Sequence, residues 1–206
     1  MKFICIGKNY LAHANEMGGA KPSEPMFFFK PENARSTIEG IFPYPEFSTE
    51  VHHEVELAVL IDSPVRNISQ AMASACYSKV TLGIDFTARD LQRRQKKLGF
   101  PWEISKSFED SAPVGEWVEL DALGKRVQDL GFELCINGES RQKGNTRDMI
   151  FSLDLLIAHI SRFITIDPGD IILTGTPEGV GPVHPGDVLE AHLEGKKVLN
   201  VEVVAP

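Results

Sequence analysis

The 206 residues predict an α+β fold dominated by β-structure, a mixed roll or sandwich formed as one domain over residues 1–206. Three observations predict it. Short apolar runs bounded by Gly, Pro and Asn recur along the chain, only three or four segments carry a helical pattern, and strands and helices do not alternate regularly. The last point disfavours a doubly wound parallel sheet. Apolar residues at 42% and charged residues at 24% match ordinary globular usage, which excludes disordered, collagen-like and coiled-coil chains.

Phe3 to Ile6 reads as a short buried strand, followed by a brief helical segment over residues 8–16 that Gly18-Gly19 would end. Residues 20–48, rich in Pro, Gly and polar groups, read as irregular strand and loop around an apolar Met26-Phe27-Phe28-Phe29 strand that stops at Lys30-Pro31. Glu54 to Ile61 passes from alternation to a continuous apolar run, as a strand does when it starts at an exposed rim and enters a core. A helix from about Ser69 to Ser78, capped by Ser69, leads to the strand Val80–Ile84 and then Asp85. Asp85 or Thr87 is placed to cap the next helix. Phe132–Ile136 is a strand turned by Asn137-Gly138, a pair suited to the left-handed conformations of a tight hairpin. A helix over about Ser152–Phe163 follows, and two Pro-Gly-Asp triplets, at 168–170 and 185–187, each feed an apolar strand.

A net charge of -8 repels phosphate backbones, so nucleic acid is not an expected partner. The densest basic stretch, Arg93, Arg94, Lys96 and Lys97, has helical spacing and reads as a solvated helix face. Cys5, Cys76 and Cys135 are far apart and odd in number, which indicates neither a disulfide framework nor a zinc site. Neither a signal peptide's apolar core nor a stretch able to span a bilayer is present. A cytoplasmic protein without membrane association is expected.

Glu54 and Glu56, two apart on a strand, leave the same face, while Val55 and Leu57 leave the other. They are either a solvated strand face or hard oxygen ligands for Mg²⁺, Mn²⁺ or Ca²⁺. Asp85 ends an apolar strand, where a buried carboxylate needs a cation or several donors, and so is a third ligand or a helix cap. His13 and Glu16 lie at i and i+3, a spacing that lets a carboxylate orient an imidazole as a general base. Lys106, in a segment dense with aromatics, is either a snorkelling surface lysine or a partner for an anionic substrate or enolate. Arg89 and Gln92, at i and i+3 after Asp85, could orient a carboxylate. The Gly-rich Thr174–Gly181 loop could bring backbone N–H groups to an anion, but it lacks the Walker lysine and the dinucleotide spacing.

Several segments, taken in order, carry a resemblance: Ile6-Gly7-Lys8-Asn9-Tyr10 with His13 and Glu16, Phe29-Lys30-Pro31, His53-Glu54-Val55-Glu56-Leu57-Ala58, Asp85-Phe86-Thr87-Ala88-Arg89-Asp90, Lys106-Ser107-Phe108, Gly144-Asn145-Thr146 and Leu173-Thr174-Gly175-Thr176-Pro177. Together they resemble the fumarylacetoacetate hydrolase superfamily, in particular its small acylpyruvate hydrolases. The resemblance implies the β-roll of the fumarylacetoacetase C-terminal domain and a homodimer, with Mg²⁺ or Mn²⁺ on Glu54, Glu56 and Asp85. It further implies an active-site Lys106, a water-activating His13–Glu16 pair on a lid, and Arg89, Gln92 and Thr176 lining the substrate site. The chain opens almost directly on its first strand, so a short acylpyruvate such as fumarylpyruvate is the expected substrate, cleaved to pyruvate and a carboxylic acid. Oxaloacetate decarboxylation or isomerisation of an unsaturated dioxo acid in the same pocket is the alternative, and a non-catalytic metabolite-binding protein the more distant one.

Overall fold

The computed structural model describes residues 1–16, 21–36 and 39–206, leaving out the side chains of residues 14–16. The predicted Gly18-Gly19 helix end therefore lies outside the described residues. In chain order the strands are β1 (Phe3–Gly7), β2 (Met26–Lys30), β3 (Ile41–Pro43), β4 (Val51–His53), β5 (Val55–Ile61), β6 (Tyr77–Ile84) and β7 (Thr87–Ala88). They continue as β8 (Val118–Glu119), β9 (Gly131–Ile136), β10 (Glu139–Asn145), β11 (Ile171–Leu173), β12 (Gly181–Pro182), β13 (Val188–Leu193) and β14 (Lys196–Val204). The α-helices are α1 (Leu11–Glu16), α2 (Arg89–Leu98), α3 (Glu103–Lys106) and α4 (Leu153–Ser161).

Six strands form one sheet in the order β2-β1-β11-β5-β6-β8, five form a second, β10-β9-β13-β14-β3, and three form a small third, β12-β4-β7. The first two sheets are mixed, since β1 pairs parallel with β11 and β14 parallel with β3 while their other pairings are antiparallel. This is the expected β-dominated α+β class.

Strand β6 packs against β13 and β14, so the two large sheets face each other. Val55, Leu57 and Val59 of β5 and Val80, Leu82 and Ile84 of β6 join Leu189, Ala191, Leu199 and Val201 in the principal core. Phe42 of β3 stacks on Phe86, just past β6, with ring centroids 3.8 Å apart. The opposite face of the six-stranded sheet is also buried, under a smaller cluster containing Phe3, Cys5, Ala58 and Leu173. Period-two alternation sends Glu54 and Glu56 to this second face. The expected exposed rim is thus a buried one, with Glu54 only 6% and Glu56 only 2% accessible.

Asn137 and Gly138 both have positive φ (53° and 80°) and join β9 to β10 as read from the sequence. Each Pro-Gly-Asp triplet precedes a strand, β11 or β13. Two helix assignments differ. Residues 70–76 form a 3₁₀ helix whose Ser69 makes no side-chain cap bond, and α2 is preceded by Ala88 rather than capped by Asp85 or Thr87. The Asp85 side chain is instead engaged by two lysines, so its buried location outcompetes the local capping role. Among the described residues no helix is long and apolar enough to cross a membrane.

Candidate active site

Antiparallel pairing of β5 with β6 puts Val55 opposite Ile84 and Glu56 opposite Gly83, and the Asp85 N–H donates to the Glu54 carbonyl at 2.8 Å. Two segments distant in sequence thereby deliver three carboxylates to one place. Ligand oxygens of Glu54, Glu56 and Asp85 lie within 4.8 Å of one another, and all three residues are buried.

Buried carboxylates this close need compensation. Lys106 supplies part of it, donating to Asp85 Oδ2 at 2.6 Å and to Glu54 Oε2 at 2.8 Å while itself only 3% accessible. Arg89 donates to the other Glu54 oxygen and, at 2.6 Å, to Gln92 Oε1. The Gln92 carbonyl is thus occupied, which leaves its amide nitrogen as the donor end. Lys30, fully buried, lies 2.8 Å from Asp85 Oδ1 and donates to the Phe86 carbonyl and to Ser111. Burial alone would raise the Glu54 carboxyl, but the Lys106 and Arg89 charges overcome it and hold Glu54 far below the usual carboxylate range. Among the described residues no cation forms an ion pair with Glu56. Burial, with the Asp85 and Glu54 charges, pushes its carboxyl well above that range, although the Gly175 N–H donates to it at 2.6 Å.

The donor set therefore fits a hard divalent cation: all-oxygen, clustered, buried, and with one member whose ionised form burial and the neighbouring carboxylates disfavour. Glu54, Glu56 and Asp85 are the residues that could hold it.

A cleft of about 440 Å³, open mouth included, is lined by these three carboxylates together with His13, Arg89, Gln92, Lys106 and Thr176. Every described side chain singled out from the sequence thus faces one space. The Glu16 side chain lies outside the described residues, so the His13–Glu16 pair stays an expectation. Thr176 lines the cleft, but its hydroxyl donates to the Val55 carbonyl at 2.9 Å and accepts from Gln142 Nε2 at 2.8 Å, which fixes the loop to β5.

Three participants escaped the sequence reading. Lys30 was noted only as part of a motif, and its signal was a lysine closing an apolar strand. Gln142 accepts from Val55 N–H at 3.0 Å and contacts His53 Nδ1 at 2.9 Å, and its signal was weak: one buried amide within the polar strand β10. Lys96, exposed like Arg93, Arg94 and Lys97, also lines the cleft, because it lies at i+7 from Arg89.

Residues 2–204 match the family described as fumarylacetoacetate (FAA) hydrolase, C-terminal. The chain belongs to the fumarylacetoacetate hydrolase family. Within that family it is 41% identical over 194 residues to an oxaloacetate tautomerase of Escherichia coli, covering 94% of this chain and 89% of the relative. It is 40% identical over 203 residues to the mitochondrial oxaloacetate tautomerase of Homo sapiens, covering 98% and 91%. Its fold superposes with a TM-score of 0.92 on a fumarylpyruvate hydrolase from Pseudomonas aeruginosa solved with Mn²⁺ and pyruvate, at 35% identity and over 100% of this chain and 90% of that one. Family membership confirms the β-roll expected from the motifs and makes the chain a member of a family of hydrolases, isomerases and tautomerases.

Proposed function

We propose that this chain is a divalent-metal-dependent isomerase that interconverts the enol and keto forms of a small 2-oxo dicarboxylate of the oxaloacetate type. The position of Lys106 carries the reading. Its buried ammonium donates to two of the three clustered carboxylates, so a proton-bearing group and the candidate cation site share one wall of the cleft. The likeness to two oxaloacetate tautomerases supports the substrate class and puts isomerisation ahead of the hydrolysis expected from the sequence.

Glu54, Glu56 and Asp85 would hold Mg²⁺ or Mn²⁺. When bound, such a cation supplies Lewis acidity to the 2-oxo acid end and acidifies the enol hydroxyl. Arg89, held in place by Gln92, and the loop carrying Thr176 orient the adjacent carboxylate. As the enol hydroxyl passes its proton to water, the Lys106 ammonium delivers one to C3 and then regains one from water. Carbon gains one proton and oxygen loses one, so the step balances. His13 has no part in it. The charge pattern suits an anionic substrate: the cations Lys30, Lys106 and Arg89 offset the three carboxylates, so a divalent cation, with Lys8 and Lys96 also lining the cleft, would leave the site positive.

Acylpyruvate hydrolysis is the second reading, supported by His13 in the cleft and by the fumarylpyruvate hydrolase likeness. In it His13, supported by Glu16, takes a proton from water, which attacks the distal carbonyl. The C–C bond breaks, and Lys106 stabilises the departing pyruvate enolate.

The test follows the enol absorbance of oxaloacetate with Mg²⁺, with and without a chelator, alongside pyruvate release from acetylpyruvate. Expected are metal-dependent loss of the enol signal without pyruvate, a fall in kcat of about 100-fold or more in Lys106→Met, and retention of the activity in His13→Ala. Stoichiometric pyruvate from acetylpyruvate that His13→Ala abolishes, with no acceleration of the enol decay, would replace isomerisation by hydrolysis.

A further inference from the structure

Helix α2 sends three residues toward the cleft, Arg89, Gln92 and Lys96, at i, i+3 and i+7. The stripe runs from the depth of the site to its mouth. Arg89 at the helix start is buried against Glu54, whereas Lys96 lies about 10 Å further along the axis, at a rise of about 1.5 Å per residue. Helical side chains lean toward the N-terminus, so Lys96 leans back over the cleft toward Arg89. Its ammonium sits 5.3 Å from the centroid of the Trp102 ring, which also lines the cleft.

The cations of the buried centre are engaged: Lys106 with Glu54 and Asp85, Lys30 with Asp85, and Arg89 with Glu54. Among the described residues Lys96 has no carboxylate at ion-pair distance. Its neighbours are mainly cationic. Burial and the charges of Arg89 and Lys8, the latter also lining the cleft, lower its proton affinity against the pull of Glu54. An arriving anion would relieve that repulsion and gain an ammonium that no described carboxylate already holds.

We infer that Lys96 is the specificity-determining residue of this cleft, pairing with the second carboxylate of a dicarboxylic 2-oxo acid, the one remote from the metal-binding end. This rests on the reading of the cleft as a 2-oxo acid site and adds the residue that distinguishes a diacid from a monoacid of equal length. To reach the carboxylate the ammonium turns from the Trp102 ring.

The test is calorimetric and needs no turnover. Malate and 2-hydroxybutyrate are four-carbon 2-hydroxy acids that differ in the terminal carboxylate, and each is titrated into the Mg²⁺-loaded protein. The parent is expected to bind malate about 10- to 100-fold more tightly than 2-hydroxybutyrate, the range of a charge-assisted hydrogen bond. Lys96→Met, which keeps most of the apolar stem, is expected to lose that preference through weaker malate binding alone, and Lys96→Arg to retain most of it. Urea midpoints matching the parent establish that both variants fold. A malate preference that survives in Lys96→Met, equal weakening of both ligands, or no preference in the parent would overturn the assignment. A malate preference that depends on Lys96, in a protein that does not accelerate enol decay, would sink the isomerase reading and leave this one standing.

Discussion

Lys30 is the residue whose role is most easily mistaken for packing. Its ammonium, inaccessible to solvent, is shared among Asp85, the Phe86 carbonyl and Ser111. Replacing it by Met keeps much of the volume but leaves a buried carboxylate and two carbonyls short of a donor. Breaking a buried ion pair from one side costs about 3–5 kcal/mol. Lys30→Met should therefore lower the urea midpoint with an unchanged slope and weaken Mn²⁺ binding, because Asp85 loses the group that fixes its orientation. A variant as stable as the parent would show that Lys106 alone suffices to hold Asp85. At this scale the sequence was informative wherever chemistry and position coincided: Glu54 and Glu56 by alternation, Asp85 by its place at a strand end. Gln142 was not readable, since a glutamine in a polar strand gives no sign that its amide ties His53, Val55 and Thr176 together.

The element that completes the site is the turn after β11. Gly175 has φ +100°, and a Cβ there would meet Asn9 Cβ at 2.7 Å. Asn9 belongs to the same construction: its side chain donates to the Thr174 carbonyl at 2.8 Å and accepts from Phe151 N–H at 2.9 Å. The turn aims the Gly175 N–H at Glu56. Gly175→Ala should cost roughly 1–3 kcal/mol from the left-handed backbone alone. It should also reduce Mn²⁺ affinity measured by calorimetry, since Glu56 loses its backbone donor. Retained affinity would mean that the turn only joins two strands. The sequence marked this loop as Gly-rich and able to present N–H groups, but which group would receive them depends on the antiparallel pairing of β11 with β5. Helix α2 teaches the converse. Its Arg93, Arg94, Lys96 and Lys97 read as one solvated face and all are exposed, yet Arg93 pairs with Glu50 while Lys96, three residues on, borders the cleft.

Across the whole molecule, the cation site lies where the six-stranded sheet meets the three-stranded one, so occupancy should be felt by the fold as a unit. A ligand that binds only the native state stabilises it by about 2.7 kcal/mol at 100 times its Kd. For a chain of this size that corresponds to a rise in Tm of roughly 5–10 °C. Mn²⁺ or Mg²⁺ should produce such a rise, a chelator should reverse it, and Glu56→Gln should abolish it in scanning calorimetry. No shift with any divalent cation would remove the metal from the mechanism and with it the electrostatic reason for clustering three buried carboxylates.

By itself the sequence determined the β-dominated class, through short apolar runs and turn residues that act locally, and it determined the family, through motifs that survive as ordered segments. It also put two glutamates on one strand face, because alternation is a property of the backbone alone. Only the tertiary structure decided that this face is buried, since both sides of β5 are covered by partners far away in the chain. Only it decided that Asp85 serves the carboxylate cluster rather than a helix end, and that Lys30 and Lys106 converge on it from β2 and α3. The physical reason is the same in each case: burial, charge neutralisation and cleft geometry arise from contacts between distant segments, and no local pattern encodes which segment will arrive.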